Sequence, residues 1–384
     1  MLQSIQGMPL TTETMNELKP FLSATRAAIR ELPLYNSGLS IDYVRKHYGV
    51  EKIAKLGSNE NPYGPSPKVI AAVANAAPEI ALYPEASCDS LRVVLAEYLQ
   101  VAPEQLIFGN GSEDLISVAV HTFLSPGDRV VTFAPSFGLH VIWPQSVGAQ
   151  VSTVSIGVDY KMDVDEVIAA LTPGTRMLLF GNPSNPAGTS ITAEDLRSIL
   201  RHLTPETLVL FDEAYLEYAM ADPSYPDFHS VLAEFDIPWL MLRTFSKAYG
   251  LAGLRIGYAI ASDSEIVQLM DRVRAPFNVN RLAQIGSIAA LGDRAYVDTV
   301  VERTVAERER MRAALEEMGY PAAPSHANFL FLDARADAAE IARRLLSRGV
   351  IVKPWMEPAF NTHIRVSVGS VKANDQFLAA WKAL

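Results

Sequence analysis

The chain has 384 residues, 49% of them hydrophobic and 20% charged, which is an ordinary globular composition; at roughly 150 residues per domain the length suggests more than one domain. Lysine plus arginine number 33 against 43 aspartates plus glutamates, a formal net charge of -10, so neither nucleic acid nor an anionic membrane surface is an expected partner. One cysteine, Cys88, excludes a disulfide framework and a cysteine-rich metal site and suits the cytoplasm; the first residues do not read as a secretory signal, and no run of about 18 apolar residues is present to span a membrane.

In chain order, a helix with a weak apolar pattern is expected from about Thr11 to Glu31. A turn follows at Leu34–Gly38, then a long loop over Leu56–Pro65, dense in Asn, Pro and Gly. From about Ser90 helices and strands alternate. Helical spacing runs over Leu91–Tyr98 and Glu113–Phe123, with strands expected at Leu106–Phe108, Arg129–Phe133 and Val151–Ile156. A helix over Asp163–Leu171, a strand at Arg176–Phe180, a helix over Ala193–Leu203 and strands at Thr207–Phe211, Trp239–Leu242 and Arg255–Ile260 continue the pattern. Such alternation argues for an α/β fold with a mostly parallel sheet covered by helices. After Pro276 the character changes. Helices are expected over Ala283–Leu291 and Tyr296–Met318, the second long enough to link two domains. Short strands follow at Asn328–Leu332, Val350–Val352 and Ile364–Val368, as in a smaller α+β domain. The expected division is an N-terminal arm, 1–60, packing with the small domain, a large domain, 61–279, and a small C-terminal domain, 280–384.

The densest chemical signal is Thr244-Phe245-Ser246-Lys247-Ala248-Tyr249-Gly250, followed by Gly253-Leu254-Arg255-Ile256-Gly257. A lysine that serves as an amine nucleophile needs burial or nearby positive charge to lower its pKa. Lys247 leaves a strand into a glycine-rich turn, and Ser246 and Arg255 flank it; both are phosphate binders. A bare Ser-Lys pair is more often a surface loop, but the Gly-Leu-Arg-Ile-Gly beyond it points to a ligand site. Asp212, in Phe211-Asp212-Glu213-Ala214-Tyr215, ends an apolar strand, where an acid faces the ligand crevice of a parallel sheet; alone, such an Asp is more often a cap. Phe108-Gly109-Asn110-Gly111-Ser112-Glu113 joins a strand to a helix, and free amides there make an anion site, compatible with a plain N-cap at Ser112. No Gly-x-Gly-x-x-Gly opens the first unit, which counts against a nicotinamide dehydrogenase. His121, His140, His202 and His326 lack ligand spacing, so no metal is expected.

Taken in order from about Tyr35 to Leu384, these segments resemble the fold-type-I pyridoxal-phosphate (PLP) aminotransferases of class I/II, and within them the histidinol-phosphate aminotransferase branch. The resemblance implies that Lys247 carries the cofactor as a Schiff base and moves the substrate's α proton in a ping-pong transamination. It implies that Asp212 holds the pyridine nitrogen protonated, that Tyr215 and Asn185, in Asn182-Pro183-Ser184-Asn185-Pro186, contact the phenolic oxygen, and that Ser112, Glu113, Ser246 and Arg255 bind the phosphate. Phe137 matches a ring-stacking aromatic that is commonly Tyr, and Ala187 stands where Thr is usual. Tyr83, in Leu82-Tyr83-Pro84, matches a tyrosine that reaches the partner subunit's cofactor phosphate, so a homodimer is implied. On the substrate side the resemblance implies Arg365, Tyr35, Asn61 and Lys353, the last where an arginine is usual. That exchange, with Trp355 and Phe360 close by, leaves an aromatic amino donor as the runner-up to histidinol phosphate with 2-oxoglutarate. A PLP-dependent decarboxylase of phosphothreonine keeps the same cofactor residues. A regulator built on this fold is disfavoured, because the chain is acidic and has no spare domain.

Overall fold

The computed structural model describes residues 20–157 and 159–384. Its first strands are β1 (Ala54–Lys55), β2 (Leu106–Gly109), β3 (Arg129–Ala134), β4 (Gln150–Ser155), β5 (Thr175–Gly181) and β6 (Leu208–Asp212). Then come β7 (Trp239–Thr244), β8 (Gly257–Ala261), β9 (Phe329–Asp333), β10 (Val350–Ile351), β11 (Lys353–Pro354) and β12 (His363–Ser367). A seven-stranded sheet runs β2-β8-β7-β6-β5-β3-β4. Its pairings are parallel except the two made by β8. A three-stranded antiparallel sheet runs β11-β12-β9, and β1 pairs in parallel with β10.

The buried strands explain the layering. Along β5, Leu178 and Phe180 join one apolar cluster while Met177 and Leu179 join another. The same division separates Val209 and Phe211 from Leu208 and Leu210 in β6, and Trp239 and Met241 from Leu240 and Leu242 in β7. Successive side chains point to opposite faces of a strand, so each apolar run feeds a core on both sides of the sheet, as parallel sheets require. Helices cover both cores. Ala193–Leu200 is opened by a capping box in which Thr192 and Asp195 exchange hydrogen bonds. The 24-residue helix Arg294–Glu317 places Val297 and Val301 against the core of the large sheet and Met311 and Leu315 against a third core behind the small one. No helix of the described residues is long and apolar enough to cross a membrane.

The elements differ from expectation at instructive points. The helix expected over Thr11–Glu31 lies outside the described residues up to 19; beyond, the chain makes only the single turns Pro20–Ser23 and Ala27–Arg30, the second of which buries nothing. With no buried residue, the second turn has no apolar stripe to extend it. The strand expected at Val350–Val352 is divided between two sheets: Val350 and Ile351 pair with β1, whereas Lys353 and Pro354 pair with β12. The strand expected from Arg255 begins at Gly257, because Arg255 itself takes a left-handed φ of 58° after a short 3-10 turn.

Candidate active site

The C-terminal ends of β5, β6 and β7 lie side by side, Gly181 in register with Asp212 and Asp212 with Leu242. The loops leaving them surround a cavity of about 570 Å³. Of the residues singled out from the sequence, Tyr35, Ser112, Glu113, Phe137, Asn185, Asp212, Tyr215, Ser246, Lys247, Arg255, Lys353 and Arg365 line it, whereas Asn61 and Tyr83 do not.

Lys247 leaves β7 into a tight turn closed by Gly250 N–H donating to the Lys247 carbonyl at 3.0 Å. Gly250 has a φ of 74°, and a Cβ there would stand 2.5 Å from the Gly64 carbonyl oxygen, so only glycine lets this turn seat against the Gly64–Pro65 loop. Asn61 braces the same turn: its Nδ2 donates to the Ala248 carbonyl at 2.9 Å. That corrects the substrate contact expected of Asn61, whose amide is turned to backbone and away from the cavity. Burial first, then the charge of Arg365, lowers the Lys247 amine to about pKa 8. Its Nζ lies 5.7 Å from the centroid of the Tyr215 ring.

An anion cradle forms where helix Ser112–Phe123 meets β8. The N-cap is Gly111, not Ser112, and no side chain caps the helix, so the amides of its first turn keep their hydrogens for a ligand. Arg255 reaches the same place, with Nη2 3.3 Å from both the Asn110 carbonyl and Glu113 Oε1. A Cβ on Gly257 would fall 2.3 Å from the Ser112 nitrogen; the bare backbone there keeps the cradle open. Ser246 is buried beside it, its hydroxyl accepting from Thr244 Oγ1 at 3.0 Å.

Asp212, 7% exposed, accepts the Ala214 N–H at 3.0 Å through Oδ1. Its Oδ2 lies 3.3 Å from His140 Nε2, and His140 Nδ1 lies 3.2 Å from Ser136 Oγ. Phe137 packs edge-on to that imidazole, centroids 5.5 Å apart, and to the Tyr35 ring at 6.0 Å. Tyr215 is buried against Phe329, and its hydroxyl accepts from Asn59 Nδ2 at 2.9 Å.

A second cationic cluster comes from the small sheet, where Lys353 on β11 is in register with Arg365 on β12. Arg365 is 7% exposed and has no carboxylate partner among the described residues. Its Nη1 donates to Asn185 Oδ1 at 2.6 Å and its Nη2 to the Gly57 carbonyl at 2.8 Å, while its buried Nε has no acceptor. A buried guanidinium without a counter-ion is costly and suits an arriving anion. Lys353 donates to the Asn36 carbonyl at 2.6 Å, fastening the Pro33–Ser37 segment beside the cavity. Burial and Arg365 lower its amine to about pKa 8.

The chain from 51 to 380 matches the family model described as aminotransferase class I and II. The chain belongs to this family. Among its aminotransferase relatives, histidinol-phosphate aminotransferase 3 of Rhizobium meliloti is 46% identical over 357 residues, covering 93% of this chain and 96% of its own. Histidinol-phosphate aminotransferase 1 of Mesorhizobium japonicum is 47% identical over 353 residues, covering 91% and 95%. The crystal structure of histidinol-phosphate aminotransferase from Sinorhizobium meliloti in complex with pyridoxal-5'-phosphate superposes with a TM-score of 0.85 at 29% identity, covering 94% of this chain and 98% of that one.

Two residues of the aminotransferase cavity escaped the sequence reading. His140 carries no sequence signal beyond the metal-ligand spacing that it lacks; it lies in helix Leu139–Ser146, whereas its partner, Asp212, ends β6, 72 residues away. Asn59 sits in the same Asn-rich loop as Asn61, and nothing local tells which of the two faces the cavity. Phe360, expected near the pocket, instead packs with Phe331 and the buried Ala187 behind Trp355, and Trp355 alone of the two aromatics lines the cavity. Tyr83 is 79% exposed and stacks on Phe277 at 4.8 Å.

Proposed function

We propose that this aminotransferase uses pyridoxal phosphate and moves the amino group of histidinol phosphate to 2-oxoglutarate, a step of histidine biosynthesis. The observation that carries the reading is that two cationic clusters from different elements face one cavity. Arg255 joins the free amides at Ser112, and Lys353 joins Arg365. Both arginines act on the Lys247 amine. One cluster suits a cofactor phosphate; the other remains for the substrate's phosphate or the carboxylate of the oxo acid. The relatives at 46% and 47% identity, both named histidinol-phosphate aminotransferases, support the substrate.

The residues present fit the cofactor, because the uncapped helix and the bare Gly257 leave a backbone cradle that a side chain would fill. When bound, it supplies an electrophilic carbon and a ring that accepts electrons. In this reading Ser112, Glu113, Ser246 and Arg255 hold its phosphate. Lys247 attaches it, and once freed, Nζ takes the substrate's α proton and returns it. Asp212, backed by His140, keeps a proton on the ring nitrogen. Tyr215 and Asn185 face the phenolic oxygen; Arg365 occupies Asn185 Oδ1, which leaves the Nδ2 hydrogens as donors. Phe137 supplies an aromatic face. Arg365 grips the substrate's anionic end, and Lys353 and Tyr35 close over it.

A second reading, an aromatic amino donor, is favoured by Trp355, Phe137 and Tyr35 in the cavity wall. The test is kcat/KM for histidinol phosphate, phenylalanine and tyrosine. A preference for histidinol phosphate of at least about tenfold, roughly 1.4 kcal/mol of transition-state binding, is expected; without it the histidine-pathway assignment falls.

The assembly and layout belong to the same proposal. Tyr83, Leu82, Ile80 and Phe277 form an exposed apolar surface that supports a homodimer, checked by sedimentation at assay concentration. Cys88, buried and unpaired, suits a reducing cytoplasm. The division into 1–60, 61–279 and 280–384 is supported by the pairing of β1 with β10. Helix Arg281–Leu291, however, packs on Pro67–Ala76, which argues for drawing the second boundary inside the long helix.

A further inference from the structure

Asn59 is 1% exposed and holds a left-handed φ of 55°. Its Nδ2 donates to the Tyr215 hydroxyl at 2.9 Å. Its Oδ1 accepts from Ser367 Oγ at 2.7 Å, and its backbone N–H donates to that same hydroxyl at 2.8 Å. Its carbonyl accepts from Asn328 Nδ2 at 3.0 Å. One residue thus joins the loop after β6, the strand β12 and the approach to β9.

These bonds decide which way the amide points. Ser367 Oγ takes the Asn59 N–H, so its single proton needs an acceptor, and Oδ1 is the one in reach. Turned over, the amide would face that proton with a second donor; Nδ2 therefore lies toward Tyr215. A phenol oxygen that accepts an amide N–H cannot donate back along the same line. The phenol's own proton has no acceptor among the described residues, and Tyr215 lines the cavity. Burial pushes the phenol up to about 12, with Arg365 and the Asn59 amide pulling the other way, so at neutral pH it keeps that proton.

We propose that Asn59 is a positioning residue: it occupies the acceptor side of the Tyr215 hydroxyl, leaving the phenol as a directed donor to the group bound in the cavity, and it ties that direction to β12, the strand that carries Arg365. The inference rests on the cofactor reading above, in which Tyr215 faces the ring's phenolic oxygen. A bond donated to that oxygen stabilises its ionised form. Losing the bond therefore raises the pH at which the bound chromophore gives up its proton.

The test is a pH titration of the visible absorbance of the cofactor-loaded protein, for wild type, Tyr215→Phe, Asn59→Asp and the double variant. Aspartate keeps the size of Asn59 and tolerates its backbone, but replaces the donor by an acceptor that takes the phenol proton for itself. Tyr215→Phe is expected to raise the midpoint by about one pH unit, the scale of one hydrogen bond to a charged oxygen. Asn59→Asp should raise it in the same direction, and the double variant no further than the larger single shift. Shifts that add, as a through-space effect of the new carboxylate would, overturn the proposal. So does a wild-type midpoint in Asn59→Asp while Tyr215→Phe moves. If Asn59→Asp does not fold, Asn59→Gly and Ser367→Ala replace it: the first removes the donor without strain, the second the proton that pins the amide. A wild-type midpoint in both overturns the proposal. An unmoved midpoint in Tyr215→Phe overturns it as well, while leaving pyridoxal phosphate in place. The absence of any visible band from wild type rejects the cofactor reading itself and this inference with it.

Discussion

His140 Nε2 stands 3.3 Å from Asp212 Oδ2, and both side chains are buried. The carboxylate that ends β6 is thereby held from behind by an imidazole, which Ser136 holds in turn at 3.2 Å. With Nδ1 accepting from the serine, Nε2 carries the proton given to Asp212. Replacing His140 by Phe leaves one carboxylate oxygen without its donor. Kcat is expected to fall roughly 10- to 100-fold, the worth of a hydrogen bond to a charged group, with KM little changed. Asp212→Asn should keep cofactor binding and lose more of the rate than His140→Phe. Steady-state kinetics on both variants decides: near wild-type turnover in Asp212→Asn makes that carboxylate a structural cap.

Lys247→Ala should lose the visible absorbance of the bound cofactor and nearly all turnover. The cofactor-free protein offers a separate readout, because burial and Arg365 lower the Lys247 amine to about 8 from 10.5. Labelling by an amine-reactive reagent, followed on the Lys247 peptide by mass spectrometry, should rise with pH through about 8. The sign for stability follows from the depressed folded-state value. Between about 8 and 10.5 the Lys247 amine binds its proton in the unfolded chain and not in the folded one, so this lysine's contribution to stability rises with pH across that window, and the cost of burying the ammonium is fully present below it. Lys247→Met should remove that contribution in pH-dependent denaturant melts; Lys353, also at about 8, acts in the same sense, while the buried Cys88 thiol, pushed up from 9.0 to about 12, acts in the opposite sense above about 9.

Gly257→Ala tests the anion cradle. The added Cβ would meet the Ser112 nitrogen at 2.3 Å, and since the obstacle is backbone, β8 or the helix start has to shift. Loss of one or two charge-assisted bonds to a phosphate corresponds to roughly a 10- to 100-fold weaker affinity. Equilibrium dialysis of pyridoxal phosphate measures it; unchanged affinity would place the phosphate elsewhere.

Arg365→Lys keeps the charge but not the forked donor pair, which here also grips Asn185 and Gly57. The expected result is a KM for the oxo acid raised about tenfold or more, with kcat affected less. Lys353→Met should instead loosen the Pro33–Ser37 segment, since its ammonium is bonded to the Asn36 carbonyl. Hydrogen exchange over 33–37 should speed up, and kcat/KM should fall further for histidinol phosphate than for phenylalanine. Equal losses for the two substrates would remove Lys353 from phosphate recognition.

By itself the sequence determined what depends on short-range pattern. Apolar runs such as Met177–Phe180 and Leu208–Phe211, separated by capped helices, specify a parallel sheet with two buried faces. The glycine-rich stretch from Lys247 to Gly257 and the Asn110-Gly111-Ser112 junction mark chemistry, because only certain residues permit those turns. The tertiary structure alone decided which polar side chains converge. His140 with Asp212, Asn59 with Tyr215 and Ser367, and Arg365 with Asn185 join residues on different elements, and no local spacing records such a meeting. It also divided Val350–Pro354 between two sheets and set Asn59, not Asn61, in the cavity wall. Secondary structure follows local pattern and solvent; a hydrogen bond between distant side chains exists only once the packed layers have fixed where each one stands.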